Sequence, residues 1–124
     1  MMQKKVQIIS DGSLDLSQEL TKEKDIEVVP FYVSFDSETY QKEMVEVGVR
    51  EFYQEMVDHP TVFPKTSMPS VHDYYEVFEK HAKEQLPVIC ICITRKFSGS
   101  LQSATTAKDM ILEEYPDAQI TVID

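Results

Sequence analysis

The chain has 124 residues, about the modal size of one domain, so it holds one core and leaves no room for two. Acidic residues number 22 against 12 Lys and Arg, a formal charge of −10. Hydrophobic residues at 42% and aromatics at 10% exclude a mainly disordered or collagen-like chain. An acidic chain lacks the basic footprint that nucleic acid or an anionic membrane surface requires, so neither is expected as a main partner. No apolar run approaches the ~20 residues of a membrane-spanning helix. The opening Met1–Lys5 leads straight into a strand-like run without a signal-peptide core, which predicts a cytoplasmic protein.

Val6 to Ile9 reads as a first strand, ended by the turn cluster Ser10-Asp11-Gly12-Ser13. Ser13 is placed to cap a short helix through about Glu23, with Leu16 and Leu20 facing inward. Ile26 to Phe35, rich in β-branched and aromatic residues, reads as a second strand. Pro30 inside it suggests an edge or a bulge. Glu38 to Gln41 is a candidate short extra strand. Val49, Phe52, Tyr53, Met56 and Val57 recur at helical spacing, so 49–58 is predicted as an amphipathic helix.

Thr61 to Pro69 reads as a loop. Ser70 with Asp73 three residues on resembles a capping box, opening a helix to about Gln85 whose stripe includes Val71, Tyr74, Tyr75 and Phe78. Val88 to Thr94 is apolar without alternation, the pattern of a strand covered on both faces. Ser98-Gly99-Ser100 opens a last helix with the stripe Leu101, Ala104, Ile111 and Tyr115, and Gln119 to Ile123 is a final strand. Strands alternating with helices predict an α/β fold: a mainly parallel sheet with helices on both faces.

Cys90 and Cys92 share one face of the predicted strand and read as buried core thiols, since a structural zinc site wants four ligands. His59, His72 and His81 have no metal-ligand spacing and are expected at the surface. No metal or cofactor is expected. With only Gly12, Gly48 and Gly99, neither a P-loop nor a dinucleotide fingerprint is possible. No G-x-S-x-G elbow supports a Ser-His-Asp triad.

Ligands of open α/β sheets bind beyond the carboxyl ends of the strands, at helix N-termini. Three segments qualify: Ser10–Leu16, Lys65–Ser70 and Thr94–Ser100. Lys65, Arg95 and Lys96 flank the hydroxyl groups of the last two, the setting a small anion needs. The same hydroxyls also serve as ordinary helix caps beside solvated cations, and spacing leaves both readings open.

These motifs resemble a known family. Asp11-Gly12-Ser13-Leu14-Asp15-Leu16, Glu27-Val28-Val29-Pro30, Lys65-Thr66-Ser67-Met68-Pro69-Ser70 and Ser98-Gly99-Ser100-Leu101-Gln102-Ser103-Ala104, with the closing Val122-Ile123-Asp124, occur in the order seen in the DegV family. The resemblance runs through nearly the whole chain. It implies that residues 1–124 are the N-terminal lobe of a two-lobed protein whose C-terminal lobe is absent here. It further implies a bacterial carrier, not an enzyme. Such a carrier holds a long-chain fatty acid by its carboxylate and presents it to a fatty acid kinase, which makes the acyl phosphate for phospholipid synthesis. The carboxylate contacts it implies are Thr66 and Ser98. Gly12 stands where the family usually has Ser, so the first loop is not assigned to binding, and Leu101 stands where Tyr is common. Two other readings remain: an α/β enzyme acting on a small phosphate or carboxylate with Ser98 as nucleophile, and a domain that only contacts partners. A lobe without its partner lobe is expected to self-associate through apolar surface.

Overall fold

A computed structural model describes residues 5–124; the reading of Met1–Lys4 as leaderless lies outside them. The order is β1 (Gln7–Asp11), α1 (Gln18–Glu23), β2 (Ile26–Val29), β3 (Tyr32–Ser34), β4 (Gln41–Lys42), α2 (Val49–Asp58), β5 (Lys65–Ser67), α3 (Val71–Lys83), β6 (Val88–Ile91), α4 (Ser100–Glu114) and β7 (Ile120–Ile123). β1, β2, β6 and β7 form a fully parallel sheet in the order β2-β1-β6-β7. The register sets Ile9 beside Cys90, and Cys90 beside Val122. Registered neighbours share a face, so Ile9, Val29, Val88, Cys90 and Ile120 line one side of the sheet. There they meet Tyr74 and Phe78 of α3 and Ala104, Ala107 and Ile111 of α4, all buried in one core.

Both core helices are set by local signals. Ser70 Oγ accepts the Asp73 N–H at 3.0 Å while an Asp73 oxygen accepts the Ser70 N–H at 2.8 Å, the expected capping box. α3 ends with Gln85 in the left-handed region (φ 57°), its N–H bonded to Ala82 O and that of Leu86 to His81 O. That pair of bonds is a Schellman stop, made here without glycine. Right-handed crossovers place α1 on the opposite face, where it packs over β2. The rest of that face is poorly covered, against the expectation that the run from Val88 is covered on both faces: Ile91 is 45% and Ile123 42% exposed.

Four expectations need correction. The run 26–35 is two strands in two sheets. Pro30 offers no N–H, and the chain leaves the parallel sheet there to form the antiparallel sheet β4-β3-β5. Lys65–Ser67, read as loop, is an exposed strand of that second sheet. The first helix starts at Gln18 with Ser17 as its cap, because Ser13 is already bound to Asp11, and Leu16 and Leu20 are left partly exposed. His81 is buried, its Nε2 2.6 Å from Glu27 Oε1, whereas His59 and His72 lie at the surface beside Glu55 and Glu76. Cys90 and Cys92 are buried free thiols with sulfurs 3.8 Å apart. The facing Cys92 sulfur and burial together push the Cys90 thiol up.

Candidate functional site

The candidate segments sit where the sheet topology directs them. Thr66 is the middle residue of β5, paired in register with Val33 of β3, and its side chain is exposed. Ser98 lies in the loop between β6 and α4. Its Oγ accepts the Ser100 N–H at 3.1 Å, and its N–H donates to Thr94 O at 3.3 Å. An oxygen that accepts from a backbone donor still has its own proton to give. The Ser98 hydroxyl therefore still has a proton to give, beside the start of a 15-residue helix with no acidic residue in its first turn.

The two segments touch. A Cβ added at Gly99 would stand 2.5 Å from Met68 Sδ, so the Met68 side chain lies against the loop that carries Ser98. Gly99 has ordinary backbone angles (φ −80°, ψ 5°), and a Cβ there would displace only the flexible end of Met68. Of the flanking cations, Arg95 Nε lies 3.8 Å from Asp124 Oδ2, and the Arg95 side chain is largely exposed. Its charge is therefore shared and screened.

Thr66 also borders a cavity of about 740 Å³ between α1, β2, the β3–β4 region and α2. Leu14, Ile26, Val28, Val33 and Phe52 give it a largely apolar wall, and its size falls within the roughly 300–1,000 Å³ of small-molecule pockets. Ser98 is not among its lining residues. Several apolar stripe residues of α2 border this space or solvent: Val49 is 49% and Tyr53 61% exposed. Glu43 lines the cavity where Gly12 leaves room for its carboxyl, which accepts the Phe31 N–H at 3.1 Å. Burial raises the Glu43 carboxyl, opposed by that hydrogen bond and reinforced by the nearby Asp11 charge.

Sequence reading missed the centre that holds the loops. Asp11, at the end of β1, is fully buried and receives the N–H and hydroxyl of Ser13, the Ile93 N–H at 2.9 Å and the Ser100 hydroxyl at 2.8 Å. Tyr74 OH lies 2.5 Å from Ser100 Oγ and 3.6 Å from Cys92 Sγ. A carboxylate only accepts, so Ser100 donates to Asp11 and accepts from Tyr74. The burial of Tyr74 pushes its phenol up, keeping that proton in place. The Asx-turn signal at Asp11 is visible in sequence; its partners 82 and 89 residues away are not.

A family model described as an uncharacterised protein of the DegV family matches residues 5–124. The chain belongs to the DegV family. A DegV domain-containing protein of Clostridium perfringens, CPE0304, is 32% identical over 119 residues, covering 96% of this chain and 41% of the relative. The crystal structure of a stearic acid-binding protein from Eubacterium ventriosum superposes with a TM-score of 0.93 at 50% identity, over 96% of this chain and 41% of that one. A DegV family protein from Thermus thermophilus, described for its fatty acid binding, gives a TM-score of 0.77 at 30% identity, over 98% and 41%. The chain therefore spans about two fifths of the length of these DegV relatives. Among the described residues no helix is long and apolar enough to cross a membrane.

Proposed function

We propose that this chain is the N-terminal lobe of a two-lobed cytoplasmic carrier that binds a long-chain fatty acid by its carboxylate, through the hydroxyls of Thr66 and Ser98. The carrier presents the acid to a fatty acid kinase for acyl-phosphate formation. The observation that carries this reading is the 50% identity to a stearic acid-binding protein across 96% of the chain. The local chemistry supports it. Ser98 has a hydroxyl proton to give, its loop touches the Thr66 segment through Met68 and Gly99, and α4 presents the positive end of its dipole. The apolar cavity beside Thr66 suits an alkyl chain better than a small polar substrate. Catalysis by Ser98 needs a general base, whereas the partner of its oxygen is a backbone donor.

The test is Thr66→Val and Ser98→Ala in the two-lobed protein, with retained lipid measured after purification. A hydrogen bond to a charged group contributes about 1.5–3 kcal/mol, so each variant binds fatty acid roughly 10- to 100-fold more weakly. Both fold, because neither side chain belongs to the core. Retention equal to the parent in both variants refutes the carboxylate role.

A further inference from the structure

We infer that Asp11 is the positioning residue for the Ser98 hydroxyl: a single buried carboxylate oxygen closes the loop that presents it. The inference rests on the reading that Ser98 holds the ligand carboxylate. Asp11 Oδ2 accepts the Ile93 N–H where the loop leaves β6 and the Ser100 hydroxyl where α4 begins. The segment 94–99 is thus spanned by one oxygen atom. Inside it, Thr94 O accepts from the N–H groups of Phe97 (2.9 Å) and Ser98 (3.3 Å), so the turn is anchored only as well as its ends. The Ser100 held by Asp11 also supplies the N–H that orients Ser98 Oγ.

The other oxygen, Oδ1, accepts from Ser13 and folds the Asp11 loop onto the same carboxylate. Asp11 therefore ties together the loops that follow the two central strands, β1 and β6. An apolar residue here would leave the N–H groups of Ser13 and Ile93 and the Ser100 hydroxyl without their acceptor, so the carboxylate serves the fold as well as the loop. What the carboxylate adds is a fixed geometry for a donor hydroxyl two residues from its own partner. The chain Tyr74 to Ser100 to Asp11 uses the Ser100 proton inward, so Ser100 cannot compete for the ligand. The hydroxyl left with a proton to give is that of Ser98.

The experiment is a double-mutant cycle on the two-lobed protein with Asp11→Asn, Ser98→Ala and the pair. Affinity is measured for a long-chain fatty acid and for the fatty alcohol of the same length. Asparagine keeps the shape but turns one acceptor into a donor, which faces the donors of Ser13 in one amide orientation and the Ile93 N–H and Ser100 hydroxyl in the other. Asp11→Asn weakens acid binding by up to the roughly 10- to 100-fold of Ser98→Ala, and weakens it no further in the Ser98→Ala background. Alcohol binding changes little in either variant. Losses that multiply in the pair, or an equal loss for acid and alcohol, overturn the positioning role. So does a parent-like Asp11→Asn beside a weakened Ser98→Ala. If Ser98→Ala itself binds acid like the parent, the Ser98 part of the carboxylate reading fails instead. Ser100→Ala carries the same cycle if Asp11→Asn does not fold. It removes the loop's far anchor and keeps the N–H that faces Ser98, and the same lack of further loss is expected.

Discussion

Replacing Glu27 by Gln tests whether the charged cluster between β2 and α3 stabilises the fold. Glu27 Oε1 accepts from His81 Nε2 at 2.6 Å and Oε2 from Lys80 Nζ at 2.5 Å. Burial alone would raise the Glu27 carboxyl; the hydrogen bonds from His81 and Lys80 outweigh it, and its pKa is lowered below 4.5. Gln keeps an oxygen for His81 but gives up the charge. A charge-assisted bond is roughly twice as strong as a neutral one, so about 1 kcal/mol is lost at His81, which is buried. The Lys80 side chain is 54% exposed, and its pair adds about 0–1 kcal/mol. The total is about 1–2 kcal/mol. With a urea slope of about 1–3 kcal/mol/M, the midpoint falls by about 0.3–2 M at neutral pH. The sign with pH is fixed by the lowered carboxyl. Its contribution is complete above pH 4.5 and is lost as the pH falls through the lower folded-state value. The gap between Glu27→Gln and parent therefore narrows in acid, as the pH falls below the ordinary carboxylate range. Equal midpoints at neutral pH, or a gap that persists undiminished in acid, refutes the reasoning.

Two further outcomes are expected. Ser70→Ala opens the capping box of α3 and costs about 1 kcal/mol, read as a lower urea midpoint with unchanged slope. The 124-residue chain by itself binds a hydrophobic dye more than the two-lobed protein does, or self-associates. The sheet face around Ile91 and Ile123 and the face of α2 around Tyr53 expose apolar surface that a second lobe and an acyl chain would cover. A strictly monomeric chain without excess dye binding counts against that cover.

The elements that were legible in sequence are those whose signals are local. The unbroken apolar run at Val88 gave β6, the spacing of Val49 to Val57 gave α2 with its observed ends, and Ser70 with Asp73 gave the start of α3. What failed depends on long-range pairing. β5 has three exposed residues between Pro64 and Pro69, so nothing in its pattern separates it from a loop; its strand character comes from hydrogen bonds to β3. The run 26–35 has uniform β propensity, and only its two different partner sheets divide it. Ser13 has the chemistry of a helix cap, but Asp11 claims it first. The same limit applies to the site. The hydroxyl-rich segments around Thr66 and Ser98 stood out, with cations beside them, whereas Asp11 looked like a turn residue until its distant donors were placed.

Native mass spectrometry of the two-lobed protein, purified from a bacterium, tests the central claim most directly. The account predicts a bound mass equal to one long-chain fatty acid on the parent and its loss from the Thr66→Val, Ser98→Ala pair. A parent that carries no lipid, or a pair that retains it undiminished, contradicts the account.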